Sequence, residues 1–211
     1  MKRVKSVRRS AACVLALVLA GCAATGPPLV DFAELRNVRE SGHEHTGEWE
    51  HTANGLVNAL PAGVPPEHIQ TGEGGAGVSM ALVDGFQARD LVIEALVEFE
   101  AGAAPGLLYR VRESGGVVTS MFMAVLNVDG AHLWRFQDGE WIRVYTDVRP
   151  MQPEQTYHLR VATDGAEMSV YVNGERLFTA QHPSLLHTGG AGISAREGVC
   201  RFNDLRAASR D

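Results

Sequence analysis

The chain has 211 residues and a formal net charge of −6, with 45% hydrophobic residues and 23 glycines. That length suits one domain, and the apolar content is enough for a sizeable core. The charge is uneven: no Asp or Glu precedes Asp31, whereas five of the 19 basic residues lie in the first nine positions, at Lys2, Arg3, Lys5, Arg8 and Arg9. Without those five, the chain has 14 basic against 25 acidic residues, a net charge of −11, and no lysine. Such an acidic body is a poor match to nucleic acid or anionic lipid, because both bind to clustered cations, and we expect no nucleic-acid partner.

The first 21 residues have the form of a bacterial signal peptide. A basic segment at 1–10 precedes ten apolar residues at 11–20, which are too few to span a bilayer comfortably. The segment closes on L-A-G-C at 19–22, which resembles the bacterial lipobox. The resemblance implies cleavage before Cys22 and acylation of its thiol and new amino group, and several acyl chains anchor a protein stably to a membrane. Ala23, rather than Asp, after the cysteine points to the outer membrane where a cell has two. An ordinary signal peptide with a chance cysteine is the alternative.

Residues 22–45 are predicted to form a tether between the lipid and the folded domain. Pro27-Pro28 favours an extended chain and stops a helix. Within D-F-A-E-L-R-N-V-R-E at 31–40, one or two helical turns would place Phe32, Leu35 and Val38 on one side.

From residue 46 to residue 207 the chain reads as short strands separated by glycine turns. A first hairpin at 47–60 turns at Asn54-Gly55, and a loop follows at 61–76. Further strands are predicted at 77–83, 90–100, 106–112, 121–128, 131–137, 157–178 (three strands), 189–194 and 198–207. About a dozen short strands with almost no helical period predict an all-β fold, a two-sheet antiparallel jelly-roll sandwich, with a short tail at 208–211. A sheet closed on itself is a weaker alternative.

The clearest part of this pattern is the meander at 157–178. Asp164-Gly165 and Asn173-Gly174 are residue pairs that two-residue hairpin turns favour. Between them apolar and polar residues alternate, with Met168, Val170 and Val172 on the face predicted to be buried. Upstream, Asp129-Gly130 and Asp138-Gly139 bracket another strand, A-H-L-W-R-F-Q.

The order of these motifs resembles the concanavalin A-like lectin/glucanase superfamily. The resemblance is carried by G-L-L-Y-R-V, F-M-A-V-L-N-V-D-G-x-x-L-W-R-F-Q-D-G-E-W, Y-H-L-R-V-x-x-D-G-A-E-M-S-V-Y-V-N-G-E-R-L-F, G-G-A-G-I-S and V-C-R-F-N-D-L-R-A. Within that superfamily the resemblance is greatest to laminin-G-like and 3-keto-disaccharide hydrolase-type domains. The resemblance implies two stacked antiparallel sheets, of which the concave one often holds a sugar; its motifs are structural and say little about activity.

The hairpin closing at Asp138-Gly139 supplies the candidate binding residues. A two-residue turn pairs Gln137 with Glu140, Phe136 with Trp141, and Trp134 with Arg143. One face then carries His132, Trp134, Phe136, Trp141, Arg143 and Tyr145, and the other carries Leu133, Ile142 and Val144. Indole rings stack on the apolar faces of sugars and guanidinium groups donate to their hydroxyls, so this face predicts a saccharide site to which Arg110 and Arg112 add donors. Packing of the aromatic rings against one another is the alternative.

Glu98 and Glu100 are the candidate acid pair for catalysis, because residues two apart on a strand share a face. However, the Glu-x-Asp-x-(x)-Glu motif of glycoside hydrolase family 16 is absent from the chain, and a solvated polar face formed with Glu94 is the favoured interpretation.

Candidate metal ligands lie in two places. His43, His45 and His51 form the one histidine cluster, with Glu48 as a possible further ligand. Asn203 and Asp204 are candidates for the calcium that some members of the superfamily hold. Each set is more often a solvated segment or turn than a metal site. Cys200, in the strand-like run V-C-R-F, is expected to be a buried small hydrophobe.

Three functions remain open from the sequence. The first is a lipid-anchored envelope protein that binds a carbohydrate on its concave sheet. The second is an enzyme, a glycosidase or a lyase or hydrolase of 3-keto-glycosides, that uses Glu98 and Glu100 or a histidine-bound metal. The third is a structural protein that docks another envelope protein.

Overall fold

The computed structural model describes residues 26–40, 49–53, 55–59, 78–196 and 198–211. In these ranges the chain forms fourteen strands and two short 3₁₀ helices, η1 (Phe32–Glu34) and η2 (Pro183–Leu186). The strands are β1 (Leu35–Glu40), β2 (Trp49–Thr52), β3 (Gly55–Ala59), β4 (Ser79–Val83), β5 (Leu91–Phe99), β6 (Ala104–Ser114), β7 (Val117–Asn127), β8 (Gly130–Gln137), β9 (Glu140–Val148), β10 (Tyr157–Asp164), β11 (Glu167–Val172), β12 (Glu175–Gln181), β13 (Gly190–Arg196) and β14 (Val199–Ser209). No helix among the described residues has the length and apolar character needed to cross a membrane.

The strands form two stacked sheets of seven. We call them the front sheet, in the order β1-β4-β13-β6-β7-β8-β9, and the back sheet, in the order β12-β11-β10-β5-β14-β3-β2. Neighbouring strands pair antiparallel, and the end of β1 also pairs in parallel with β7 at Arg39–Val117 and Glu40–Val118. The predicted all-β, two-sheet antiparallel sandwich is therefore confirmed.

The main core lies between the two sheets and follows from the two-residue period of the strands. In β10, Tyr157, Leu159 and Val161 point inward and are buried, whereas His158 and Arg160 point outward. The same alternation continues in β11, β5 and β14, and the inward side chains of the front sheet close the layer from the other side. Burial of these apolar side chains is the main favourable contribution to folding.

The turns of the meander sit close to where the sequence predicts them. Asn173-Gly174 joins β11 to β12 with positive φ at both residues, 51° and 80°, as a type I′ turn requires. The preceding turn is displaced by one residue, because Asp164 pairs with Glu167 and Gly165-Ala166 is the central pair. Of that central pair only Gly165 has positive φ, the pattern of a type II′ turn.

The N-terminal segment differs from the predicted tether. Only Phe32–Glu34 is helical, and Leu35–Glu40 is the edge strand β1 rather than a further helical turn. Before it, the backbone N–H of Val30 donates to the carbonyl of Leu205 at 2.8 Å, so this part of the chain runs along β14. Residues before position 46, the predicted start of the sandwich, therefore already belong to it.

A second apolar cluster lies on the outer face of the front sheet. Its members belong mainly to β4, β6, β7 and β8 and are buried, and Trp134 and Trp141 pack against them. The cluster consists of Val38, Val78, Met80, Leu82, Ala104, Leu108, Val111, Val118, Met121, Met123, Val125 and Phe136. This layer is not among the features predicted from the sequence, although M-A-L-V at 80–83 and M-F-M-A-V-L at 121–126 are continuous apolar runs, which indicate strands buried on both faces.

Candidate functional site

The β8–β9 hairpin has the predicted turn and register. Asp138 and Gly139 have φ of 55° and 87°, the geometry of a type I′ turn. Gln137 faces Glu140, Phe136 faces Trp141, and Trp134 faces Arg143, as the two-residue turn predicts. This register brings the indoles and the guanidinium to the outer face of the front sheet rather than between the sheets.

These side chains form a compact group that we call the indole–arginine site: Trp134, Trp141, Arg143 and Arg196. The two indole rings meet edge to face, with centroids 6.5 Å apart and an interplanar angle of 83°. The Cζ atom of Arg143 lies 5.6 Å from the centroid of Trp134, and that of Arg196 lies 6.0 Å from it. Both indoles are half-buried and Arg143 is exposed. Two guanidinium groups therefore lie over the Trp134 ring, and the Trp141 ring meets it edge to face.

Arg196 is a member of this site that is not predicted from the sequence. It ends β13, which lies three positions from β8 in the front sheet, a separation of about 14 Å at the usual strand spacing. Contact between the two side chains therefore depends on strand order, which is not readable from residue spacing alone.

His132 lies on the same face and is held in one tautomer. Its Nε2 is 3.0 Å from Asn127 Oδ1, which also accepts from the backbone N–H groups of Asp129 and Gly130 and so must be an oxygen. Nε2 therefore carries the proton, and Nδ1, 3.2 Å from Thr146 Oγ1, accepts. Burial, and then the positive charge of Arg143, lower the pKa of His132. His132 thus supports the hairpin as a neutral side chain.

Arg110 is not on this outer face, which corrects the predicted position. Its φ is 55°, and the β6–β13 pairing slips at this residue from Tyr109–Ala191 to Val111–Gly190, which is a β-bulge. The bulge turns the side chain inward, where it is only 2% exposed. Its guanidinium donates to groups of the back sheet and to the loop before β13: Asp90 Oδ1 at 3.3 Å, Thr163 Oγ1 at 3.4 Å, the carbonyl of Gly165 at 3.5 Å, and the carbonyl of His187.

Tyr145 is also displaced from the predicted face. The β8–β9 pairing slips between Leu133–Tyr145 and Trp134–Arg143, so the extra residue Val144 reverses the alternation. The ring of Tyr145 packs on that of Phe178, with centroids 4.3 Å apart, on the inner side of the sandwich. Tyr145 is therefore not part of the indole–arginine site.

Solved structures of other proteins share this architecture. A carbohydrate binding module, CBM66, from Bacillus subtilis superposes with a TM-score of 0.67 and 16% identity, over 86% of this chain and 97% of its own. A protein with a galectin-like fold from Bacillus subtilis superposes with a TM-score of 0.60 and 9% identity, over 86% and 93% of the two chains. No protein-family model and no curated protein matches the chain. The fold is a concanavalin A-like jelly roll. At these identities the likeness establishes the fold alone, and the laminin-G-like or 3-keto-disaccharide hydrolase-type assignment stays a prediction.

The candidate acid pair lies on the opposite side of the jelly roll. Glu98 points outward from β5 in the back sheet, and Glu100, the first residue after β5 ends, contacts the same arginine, Arg201. Arg201 of the neighbouring β14 donates to both, at 3.1 Å to Glu98 Oε1 and 3.3 Å to Glu100 Oε1. Both carboxylates thus form ion pairs with one guanidinium on the polar outer face of the back sheet. A catalytic role for the two carboxylates stays a prediction, and it would be separate from the indole–arginine site.

The candidate metal ligands are only partly within the described residues. His43 and His45 lie outside them, and His51 is exposed on β2. Across the described ranges no group of three or more His, Cys, Asp or Glu side chains is placed to hold a metal ion. Asp204, at a bulge of β14 with φ of 49°, accepts from Arg206 Nε at 3.1 Å and from Nη2 at 2.8 Å.

Cys200 is buried in the main core, as its sequence context predicts. Burial raises its pKa to about 12, so the side chain is a thiol at neutral pH rather than a reactive thiolate. Cys22, the candidate lipidation site, lies outside the described residues.

Proposed function

We propose that the protein binds a saccharide on the outer face of the front sheet, at Trp134, Trp141 and Arg143. The observation that carries the proposal is the arrangement of two indoles edge to face, with the Arg143 guanidinium 5.6 Å from the centroid of Trp134. An indole face covers the apolar C–H face of a pyranose ring, and a planar guanidinium donates two parallel hydrogen bonds to neighbouring hydroxyls. The likeness of the fold to a carbohydrate binding module supports this interpretation.

Binding without catalysis is the function that this geometry supports best. The carboxylates proposed for catalysis, Glu98 and Glu100, lie on the other sheet and are engaged by Arg201. A glycosidase needs a carboxylic acid beside the scissile bond, and a sugar stacked on Trp134 would be on the far side of the molecule from both.

The proposal is tested by a glycan array followed by calorimetric titration of the best ligand against the soluble chain 23–211. We expect Trp134→Ala and Arg143→Gln each to weaken binding about tenfold or more, as loss of a central aromatic or arginine contact commonly does. Arg143 is exposed, so its replacement removes donors without disturbing the core.

Tyr171→Ala is the matched control. Tyr171 is an aromatic residue of the back sheet with the Cζ of Arg160 5.4 Å from its ring centroid, so it repeats the aromatic–arginine contact on the other face. Unchanged glycan affinity in the control, with losses in both front-face variants, is the expected result. Equal affinity in all four proteins would remove the proposed site.

The enzyme alternative is decided in the same preparation by a hydrolysis panel with and without a chelator. We expect no product to be released. Product formation that Glu98→Gln abolishes would replace the binding proposal with a glycosidase.

We also propose that the chain is a lipoprotein of the cell envelope, processed before Cys22 and acylated there, and held in the outer membrane of a two-membrane bacterium. The basic and apolar segments at 1–20 and the L-A-G-C run at 19–22 support this. Intact-mass measurement of the protein purified from membranes tests it: we expect the loss of residues 1–21 and the added mass of the acyl groups, and an unmodified or uncleaved chain would contradict it.

A further inference from the structure

Arg143 contacts an indole ring and has no ion-pair partner among the described residues. Its Cζ atom lies 5.6 Å from the centroid of Trp134, and its side chain is exposed on the edge strand β9. The side chains beside it on the same face of the hairpin, Trp134, Trp141 and His132, carry no negative charge at neutral pH. In the part of the chain that the structure describes, the positive charge of Arg143 is therefore not paired with a carboxylate.

The same aromatic–arginine contact on the back sheet does include a carboxylate. The Cζ atom of Arg160 lies 5.4 Å from the centroid of Tyr171, and its Nε lies 3.5 Å from Glu94 Oε2. The strand register explains the grouping, because Arg160 pairs with Tyr171 on one side and with Glu94 on the other.

The position of β9 at the edge of its sheet removes that third member from the front site. Arg143 pairs with Trp134 on β8, and no described strand lies on the other side of β9 to supply an acidic side chain. The exposed guanidinium of Arg143 therefore faces solvent on the side where Arg160 has Glu94. A ligand can supply the negative charge that a neighbouring strand supplies on the back sheet.

Contact with a ring leaves the hydrogen-bonding groups of a guanidinium available. The ring offers π-electrons rather than a lone-pair acceptor, so the N–H donors still need oxygen partners. Their fixed fork matches two oxygens of one anionic group, and such charge-assisted pairs are stronger than neutral hydrogen bonds. An acidic group on a sugar would both satisfy the donors and neutralise the charge, whereas a hydroxyl would only satisfy the donors.

Arg196 brings a second guanidinium to the same ring. Its Cζ atom lies 6.0 Å from the centroid of Trp134, on the opposite side of the front sheet from the edge that carries Arg143. Both cations thus lie near one indole, and their fields add for an anion placed beside that ring.

We propose that the ligand of the indole–arginine site is an acidic saccharide, whose carboxylate or sulfate group binds to the Arg143 guanidinium beside Trp134. The proposal rests on the proposed saccharide binding at this site and adds the chemical class of the sugar. The acidic composition of the chain does not oppose it, because physiological salt screens exposed charges beyond about 8 Å. The cations that touch the ligand therefore outweigh the distant carboxylates.

The test compares acidic saccharides with their own neutral forms by calorimetric titration of the full chain, purified in detergent. One arm uses oligouronates and their methyl esters, and the other uses sulfated galactan oligomers and their desulfated forms. We expect the acidic member of at least one pair to bind about tenfold tighter or more. The arm that shows this preference identifies the group as a carboxylate or as a sulfate.

Three variants assign the preference to Arg143. Arg143→Gln should abolish it, and Arg143→Lys, which keeps the charge without the fork, should keep part of it. Arg176→Gln is the matched control, since it removes the same charge from an exposed arginine of β12 on the other sheet, and it should keep the full preference.

The failure of this inference is distinct from that of saccharide binding itself. Equal or tighter binding of the neutral forms in every pair would overturn the inference while saccharide binding stands. An equal loss of preference in Arg143→Gln and Arg176→Gln would also overturn it, because the effect would then belong to net charge. Absence of binding by every saccharide of both arms and of the glycan array would remove both proposals.

His132 provides a second readout, because it lies on the same face as Arg143. Burial, and then the charge of Arg143, lower the pKa of His132, whereas Asp129 raises it. An anion bound to Arg143 offsets its charge, so the pKa of His132 should be higher in the complex with the acidic saccharide than in the complex with its neutral form. NMR titration of the imidazole C–H signals, assigned with His132→Gln, measures this pKa. An identical pKa of His132 in the two complexes would overturn the contact between the acidic group and Arg143.

Discussion

Arg110 connects the two sheets from a backbone conformation that a regular strand does not contain. Its left-handed φ of 55° costs roughly 1–2 kcal/mol for a residue with a Cβ, so the contacts it makes must compensate. Those contacts are with Asp90 and Thr163 of the back sheet and with two backbone carbonyls. Desolvation lowers the pKa of the buried guanidinium, and the neighbouring charge of Asp90 raises it. Arg110 is thus a structural residue of the sandwich and not a sugar ligand.

We expect Arg110→Met to lower the free energy of unfolding by about 3 kcal/mol or more. It removes the buried donor to Asp90, Thr163 and two backbone carbonyls, and it leaves the exposed Arg89 as the remaining ion-pair partner of Asp90. Urea denaturation followed by circular dichroism measures the change. Arg112→Met is the matched control, since Arg112 lies on the same strand with an exposed side chain and its loss should change stability by about 0.5 kcal/mol or less. Similar losses in both variants would contradict the structural role of Arg110.

His132 predicts a dependence of stability on pH. Burial and Arg143 lower its pKa in the folded protein below the ordinary value of 6.5. As the pH falls below about 6.5 the unfolded chain binds a proton at this residue while the folded protein does not, so the free energy of unfolding decreases until the folded pKa is reached. His132→Gln, which keeps a donor toward Asn127, should show a smaller loss between about pH 7.5 and about pH 5.5.

We expect the His132→Gln variant still to lose some stability as the pH falls, because a second histidine behaves in the same way. Burial and the charge of Arg135 lower the pKa of His182 in the same direction, so some pH dependence should remain. Urea titrations of the natural protein and His132→Gln at both pH values provide the comparison. An identical loss in the two proteins would show that His132 does not carry the effect.

At the residue scale the sequence predicts which residues face each other across a hairpin with a two-residue turn. It does not predict the face of a side chain that lies next to a β-bulge. The facing pairs Trp134–Arg143 and Phe136–Trp141 follow from the two-residue turn at Asp138-Gly139 alone. Arg110 and Tyr145 escape prediction because one extra residue in a strand reverses the face of the residues on one side of it, and a bulge has no reliable sequence signature.

At the level of elements, the turns of the hairpins decide the register of the front sheet. Gly130 follows the β7–β8 turn with φ of 140°, and a Cβ there would lie 2.1 Å from the carbonyl of Asp147. Gly139 closes the next turn with φ of 87°, and a Cβ there would have no atom within 4 Å. A side chain at Gly139 would therefore meet backbone strain alone, whereas one at Gly130 would also meet a steric clash.

We expect Gly139→Ala to cost about 1–2 kcal/mol of stability, the usual penalty for a left-handed residue with a side chain. Gly130→Ala should cost about 3 kcal/mol or more, because the β9 backbone must also move. Thermal and urea unfolding of the two variants measure the difference. Since Trp134 lies on the strand that Gly130 begins, glycan affinity should also fall in the Gly130 variant. Equal destabilisation by the two substitutions would show that contact with Asp147 is unimportant.

The element that the sequence misidentified is β1, and the reason is the spacing of its apolar residues. Leu35 and Val38 are three apart, which places them on one face of a helix but on opposite faces of a strand. In the structure Leu35 packs on the main core, whereas Val38 belongs to the outer cluster of the front sheet. The spacing of apolar residues on both faces of a strand therefore imitates a helical turn. The strands of the meander at 157–178 bury one face only, so their alternation is read correctly from the sequence.

At the scale of the molecule, the two outer faces differ in kind. The front outer face carries a buried apolar layer and the indole–arginine site, whereas the back outer face carries paired charges. The sequence indicates the acidic, lysine-free composition but not its division between faces, because strand order assigns each residue to a sheet. The proposed saccharide site therefore lies on one outer face, and the polar face of paired charges lies on the other.

This division predicts that the two faces can be altered independently. Arg201→Ala releases Glu98 and Glu100 from their shared cation and should cost only about 0.2–1 kcal/mol for each exposed pair lost. Saccharide affinity should stay unchanged, because the sandwich separates Arg201 from Trp134. Urea denaturation and calorimetry on one preparation measure the stability and the saccharide affinity, and a parallel loss of saccharide binding would show that the faces are coupled.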